Sequence, residues 1–114
     1  MYKTDLVTAS MVKYCINSFL ATKVTFMNEM YDVLKAARGA DWKTFTKIIQ
    51  TDPRMGKTHM RVPGNDGQRG YAGSCFPKDT SALAYFAREI LNKPFTQLET
   101  SVKINEVLRK NNEL

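Results

Sequence analysis

The 114-residue sequence contains one histidine, His59, and two cysteines, Cys15 and Cys75. Two thiols are too few for a disulfide framework, and one histidine leaves no Cys/His cluster with zinc-ligand spacing, so no metal site is expected. No apolar run exceeds a few residues, which predicts that no segment crosses a membrane. The opening MYKTDLVTAS lacks the apolar centre of a signal peptide, and a cytoplasmic chain is expected. Basic clusters are missing as well. The net charge is +6, yet the seventeen Lys and Arg are spread among acids along the whole chain. A nucleic-acid face is therefore not expected. A solvated surface is the plainer reading of the charge, and a site for a phosphate-bearing small molecule is a third one. Period-2 strand patterning, repeats and low-complexity tracts are absent too.

What the sequence does contain is helical periodicity. From Thr8 to Arg38 nothing breaks a helix, and apolar residues recur at Val12, Ile16, Leu20, Val24, Met27, Tyr31 and Leu34. Thr8 or Ser10 is a candidate cap and Gly39 a candidate stop. Such a helix is roughly 45 Å long at 1.5 Å per residue, long for so small a domain, and predicts packing against another subunit or domain. Asp41 reads as the cap of a short helix, WKTFTKIIQ. Pro77 suits the first position of a third helix running to about Leu91, and a fourth runs from about Thr96 toward Lys110. Between the second and third lies one long irregular segment, residues 51–74, with five of the six glycines. Loops of that length in a compact domain are functional or disordered as a rule. The expected fold is all-α, one domain over residues 1–114, with about four helices, a long first helix and one long Gly-rich loop. Cys15 is expected to be buried in the first helix, and Phe19, Phe26, Trp42, Phe45, Tyr85 and Phe86 are expected in the core or a dimer interface. His59 is read as a loop residue.

The junction GYAGSCFPKD, residues 70–79, holds the strongest chemical signal. With Pro77 opening a helix, Cys75 sits at its N-terminus, where free N–H groups and the helix dipole favour an anion such as a thiolate. Gly70 and Gly73 let backbone approach a ligand closely. Asp79 is one turn beyond Cys75 and can reach the same spot to hold a water or a proton. The competing reading is structural: a glycine loop, a buried cysteine, and an aspartate that complements the dipole. Lys13 and Asn17 share a face of the long helix at i and i+4. They are either an ordinary exposed pair or a cation and an amide aimed at a developing oxyanion.

Taken together, the chain resembles the central domain of the UDP-glucose/GDP-mannose dehydrogenase family. TASMVKYCINSFLATKVTFMNEM is similar to the family's first central helix, with its Lys-x-x-x-Asn pair and following Asn-Glu. DPRMG at 52–56 is similar to its D-x-R-[IM]-G, and GYAGSCFPKD to its GYGGSCFPKD loop. The three blocks occur in the family's order over roughly residues 4–110, and SCFPKD points to the UDP-glucose branch. The resemblance implies a two-step, NAD-dependent oxidation of a sugar alcohol to a carboxylate. Cys75 would be the nucleophile, passing through a thiohemiacetal and a thioester. Asp79 would position or activate water, and Lys13 and Asn17 would stabilise the oxyanions. Tyr71, Ala72 and Gly73 would hold the sugar through backbone groups, and Lys78 would lie near the nicotinamide. Arg54 would reach the UDP-sugar of a neighbouring subunit in a homodimer built on the long helix.

Two positions depart from the family's pattern: Ser10 replaces a glutamate and Ala72 a glycine. No GxGxxG follows a strand, so no NAD-binding half is expected, and no counterpart of the family's UDP-binding domain is expected either. The sequence reads as a middle piece: an excised one, the product of a split gene whose partners are separate chains carrying those domains, or a remnant. A fragment inactive by itself is expected. The alternative is an idle dimerisation module that keeps the family's fold.

Overall fold

The computed structural model describes residues 5–111, which form four α-helices and no strand. Helix α1 spans Leu6–Ala36, α2 Trp42–Ile49, α3 Phe76–Tyr85 and α4 Thr96–Asn111; a π-helical turn, Phe86–Ile90, extends α3. None of them is long and apolar enough to cross a membrane.

Helix α1 begins earlier than its apolar periodicity suggests. Asp5 caps it, accepting from the Thr8 N–H at 2.7 Å, so Thr8 and Ser10 lie inside the helix. Its 31 residues cover about 46 Å at 1.5 Å per residue, against a longest molecular dimension of 50 Å. Helix α2 is capped by Asp41 as expected, with the Thr44 N–H and hydroxyl donating at 2.9 and 2.7 Å. Helix α3 opens one residue before Pro77, at Phe76, which leaves Cys75 at the N-cap position.

The apolar stripe read from α1 proves to face two ways. Val12 and Ile16 are exposed, whereas Met27 is buried and Tyr31 packs edge-on against Trp42 of α2, 5.2 Å between centroids. The side of α1 turned toward α3 and α4 is small and polar instead: Ser18, Ala21, Thr25 and Asn28, spaced by three, four and three residues. There Thr25 Oγ1 meets Ser101 Oγ of α4 at 3.0 Å inside the protein. Small side chains let helix axes approach, and paired hydroxyls avoid the penalty of burying unbonded polar groups. The outward side carries Val12, Ile16, Phe19, Phe26 and Val33, with Phe19 70% and Phe26 62% exposed. Tyr85 is exposed as well, so three of the aromatic residues expected in the core or an interface lie outside the core of this protomer. Cys15 is also exposed, against expectation, because its position on the helix falls beside Phe19 rather than on the packed side.

The long loop is tied down along its length. Lys23 Nζ donates to the Met55 carbonyl at 2.5 Å. Met60, Val62, Arg69 and Tyr71 are all buried. Arg69 fastens the loop to α1: Nε donates to Asn28 Oδ1 at 3.1 Å, and Nη2 donates to the Asn28 carbonyl at 2.7 Å and to Asp32 Oδ2 at 3.0 Å. Its guanidinium also lies 5.5 Å from the Tyr31 ring centre.

Candidate active site

Two of the residues singled out by sequence are 62 positions apart and meet directly. Asn17 of α1 donates from Nδ2 to Asp79 Oδ2 of α3 at 2.7 Å. Asp79 is fully buried, and its other oxygen, Oδ1, accepts no hydrogen bond. The Lys78 ammonium lies 3.9 Å from that oxygen, on a side chain 66% exposed. Helix α3 fixes Asp79 relative to Cys75, because the Asp79 N–H donates to the Cys75 carbonyl at 2.8 Å in its first turn. Cys75 itself is exposed at the N-cap, with the Ser74 hydroxyl 3.8 Å from Sγ. Cys75 caps the helix without a side-chain bond to its first N–H groups, at the end where the helix dipole is positive. Lys13 lies one turn before Asn17 on α1, exposed, with Nζ 5.9 Å from the Tyr14 ring centre.

Residues 72–75 form an exposed arch between two buried anchors, Tyr71 and Asp79. The backbone of Tyr71 is gripped by α4: its N–H donates to Asn105 Oδ1 at 2.6 Å, and its carbonyl accepts from Asn105 Nδ2 at 3.0 Å. Burial pushes the Tyr71 phenol above its ordinary range, opposed by hydrogen bonds from Thr80 and Ser101. The Tyr71 hydroxyl is 3.4 Å from Thr80 Oγ1, next to Asp79. Phe76 is held between two rings, with Tyr71 6.0 Å and His59 5.6 Å away. Grooves of 540 and 690 Å³ flank the arch, and Ala72 and Gly73 line both. Of the three backbone stretches assigned to sugar binding, Tyr71 thus has its N–H engaged internally, whereas Ala72 and Gly73 are exposed. Arg54 projects into solvent, 89% exposed, in a two-pronged pair with Asp52 (Nε to Oδ1 3.0 Å, Nη2 to Oδ2 2.7 Å). It makes no bond to the other candidate residues among those described.

Sequence reasoning missed Asn105, Arg69 and Thr80. Asn105 was visible as a polar residue at an apolar spacing, between Leu98 and Leu108 on α4. Arg69 and Thr80 carry no comparable mark.

Residues 7–107 match the UDP-glucose/GDP-mannose dehydrogenase family, central domain. The chain belongs to that family. It is 37% identical over 105 residues to UDP-glucose 6-dehydrogenase YwqF of Bacillus subtilis, covering 92% of this chain and 22% of that protein. It is 36% identical over 107 residues to UDP-glucose 6-dehydrogenase TuaD of the same organism, covering 94% and 22%. A UDP-glucose 6-dehydrogenase of Rickettsia bellii is 50% identical over 80 residues, 70% of this chain and 17% of that protein. The chain thus spans about a fifth of the length of these relatives. Within this central domain, the alanine that replaces the family's glycine at position 72 is conformationally harmless. Ala72 is not among the residues with positive φ, whereas Gly73 is, at φ +94°. Ser10, the other departure, is exposed near the start of α1.

Proposed function

We propose that this chain is the catalytic and dimerisation domain of an NAD-dependent nucleotide-sugar dehydrogenase that oxidises UDP-glucose to UDP-glucuronate in two stages. The observation that carries the reading is the Asn17–Asp79 bond, which assembles α1 and α3 around the exposed Cys75. A buried carboxylate with one oxygen held by an amide and the other unbonded is suited to orient a water, at the mouth of a helix that stabilises negative charge.

The chain's own residues supply four things. Cys75 Sγ adds to the carbonyl carbon of the aldehyde stage and forms a thiohemiacetal; at the acid level the acyl group rests on sulfur as a thioester. Water held by Asp79 Oδ1 and Asn17 then hydrolyses it. Lys13 and Asn17 stabilise the oxyanions. Ala72 and Gly73 offer backbone groups to the sugar, beside the Tyr71 backbone that Asn105 holds. NAD, as the cofactor, supplies the hydride acceptor. No strand leads into a phosphate-binding turn among the described residues, so its site belongs outside them, with Lys78 at the edge. By itself the chain is expected to be inactive. Exposed, unpaired thiols at Cys15 and Cys75 suit a reducing cytoplasm.

The outward stripe of α1 supports a homodimer. Val12, Ile16, Phe19, Phe26 and Val33 lie on one side at intervals of four, three, seven and seven, the seam spacing of paired helices. Arg54, exposed and pre-oriented by Asp52, is then free to reach the substrate of the second copy. The test is Cys75→Ser in the complete enzyme that contains this domain, read as uronate production. Loss of uronate is expected, and full production by the variant refutes the assignment.

A further inference from the structure

The segment that leads into the arch carrying Cys75, residues 69–71, contacts α4 through its backbone. Asn105, 7% exposed, uses both ends of its amide on Tyr71, accepting from the N–H and donating to the carbonyl. An asparagine side chain supplies one acceptor and one donor, as a paired strand would. One turn on, Arg109 Nη1 donates to the Arg69 carbonyl at 3.3 Å and to Asp66 Oδ2 at 2.9 Å. Two α4 side chains therefore hold three backbone groups within residues 69–71. The approach is close enough that a side chain on Gly70 would force a shift: a Cβ there collides with Asn105 Oδ1 and lies 3.3 Å from Leu108 Cβ, at a strained φ of +80°. Past this grip, residues 72–75 have no comparable support until α3 begins, so the position of Tyr71 decides where the arch starts.

We propose that Asn105 is a positioning residue for Cys75. By holding both polar groups of the Tyr71 backbone, it sets the path of the arch and seats the sulfur at the N-terminus of α3. Its consequence for catalysis rests on the reading of Cys75 as the nucleophile; the clamp itself does not. Asn105 touches no reacting atom and acts through Tyr71.

The experiment uses this chain with Cys15→Ser, so that Cys75 is the single thiol. Amide hydrogen exchange and the rate of Cys75 alkylation by iodoacetamide are measured for Asn105→Ala, Asn105→Asp and Thr25→Ala. Thr25→Ala is the control: it breaks the bond to Ser101 between α1 and α4, and the Thr25 hydroxyl otherwise donates to the Thr22 carbonyl on its own helix. Asn105→Ala is expected to speed exchange at residues 71–75 by about tenfold or more while α1 amides at 18–28 keep their protection. Alkylation is expected to slow about threefold, the factor that a helix-terminus interaction is worth to an attacking anion. Asn105→Asp keeps the acceptor and is expected to keep the Tyr71 amide protected, which also serves if the alanine variant unfolds. Thr25→Ala is expected to leave the alkylation rate unchanged. Uniform loss of protection in Asn105→Ala, an alkylation rate unchanged by it, or equal slowing in Thr25→Ala overturns the proposal. A failure of the nucleophile assignment is read separately, from uronate production by Cys75→Ser.

Discussion

Arg69→Met removes the guanidinium that ties the long loop to α1, and the size of the effect can be worked out from its bonds to that helix. Arg69 is buried, and two of these hydrogen bonds go to Asn28, itself 1% exposed. Another goes to Asp32, whose side chain is 56% exposed. Hydrogen bonds involving a charged group contribute about 1.5–3 kcal/mol each, and loss of one partner from a buried pair costs about 3–5 kcal/mol. The exposed ion pair adds about 0.5 kcal/mol by comparison. The net expectation is a loss of about 3 kcal/mol for Arg69→Met, because Asn28 Oδ1 is left buried without its donor. For a domain near this size that corresponds to a melting temperature lower by about 12 °C or more. Arg69→Lys is expected to recover little, since a single ammonium nitrogen cannot reproduce the planar fork in which Nε and Nη2 reach their acceptors separately. Asp32→Ala is expected to lower stability by less than about 1 kcal/mol. The assay is thermal unfolding followed by the helical circular dichroism band. An Arg69→Met melting temperature within about 3 °C of the parent refutes the reasoning. So does an Asp32→Ala effect as large as that of Arg69→Met, which would place the energy in the ion pair.

Two further predictions address other parts of the molecule. Phe19→Glu and Phe26→Lys are expected to lower self-association of the chain in sedimentation without reducing its helicity, because both side chains are exposed on the outward stripe. Acid is expected to destabilise the chain in two windows. His59 is held below its ordinary value, by burial first and the Lys23 ammonium second. Unfolded His59 takes up its proton near 6.5 and folded His59 at lower pH, so stability falls as pH drops through that interval. Asp5, Asp41, Asp52, Asp66 and Glu99 are also lowered, Asp5 chiefly by the Thr8 backbone and Asp41 by the Thr44 hydroxyl. Their contribution is present above the unfolded carboxylate range and is lost as pH falls through their folded values. His59→Gln is expected to abolish the upper window in a pH-dependent melt and to leave the lower one.

The parts of the fold that follow local rules were legible in the sequence. Helix lengths, the Asp41 cap and the break before Thr96 need only periodicity and punctuation. The start of α1 was missed because the periodicity begins later than the Asp5 cap. The sidedness of α1 was missed for a deeper reason. Periodicity ranks faces by hydrophobicity, and here the packed face holds Ser18, Thr25 and Asn28: Ser101 of α4 meets Thr25 and Arg69 of the loop meets Asn28, while Ser18 is small enough to pack with its hydroxyl unbonded. That is also why Cys15 was expected inside. At the candidate site, Asn17 and Asp79 were each identified from a short motif, yet their bond joins residues 62 positions apart and no spacing rule reports it. Tyr71 was assigned to the ligand as backbone; its grip by Asn105 depends on where α4 returns.

The two faces of α1 have a practical corollary for redesign. Ordinary solubilising logic would turn the polar residues of a helix outward and fill its interior with leucine. In this helix, Ser18, Ala21 and Thr25 are within a packed seam, and larger apolar side chains there would overfill it. The exposed phenylalanines and valines, by contrast, stand on the free surface of the protomer. Polar substitution of this domain is therefore tolerated on the greasy side and not on the hydroxyl-rich one, which is left untouched.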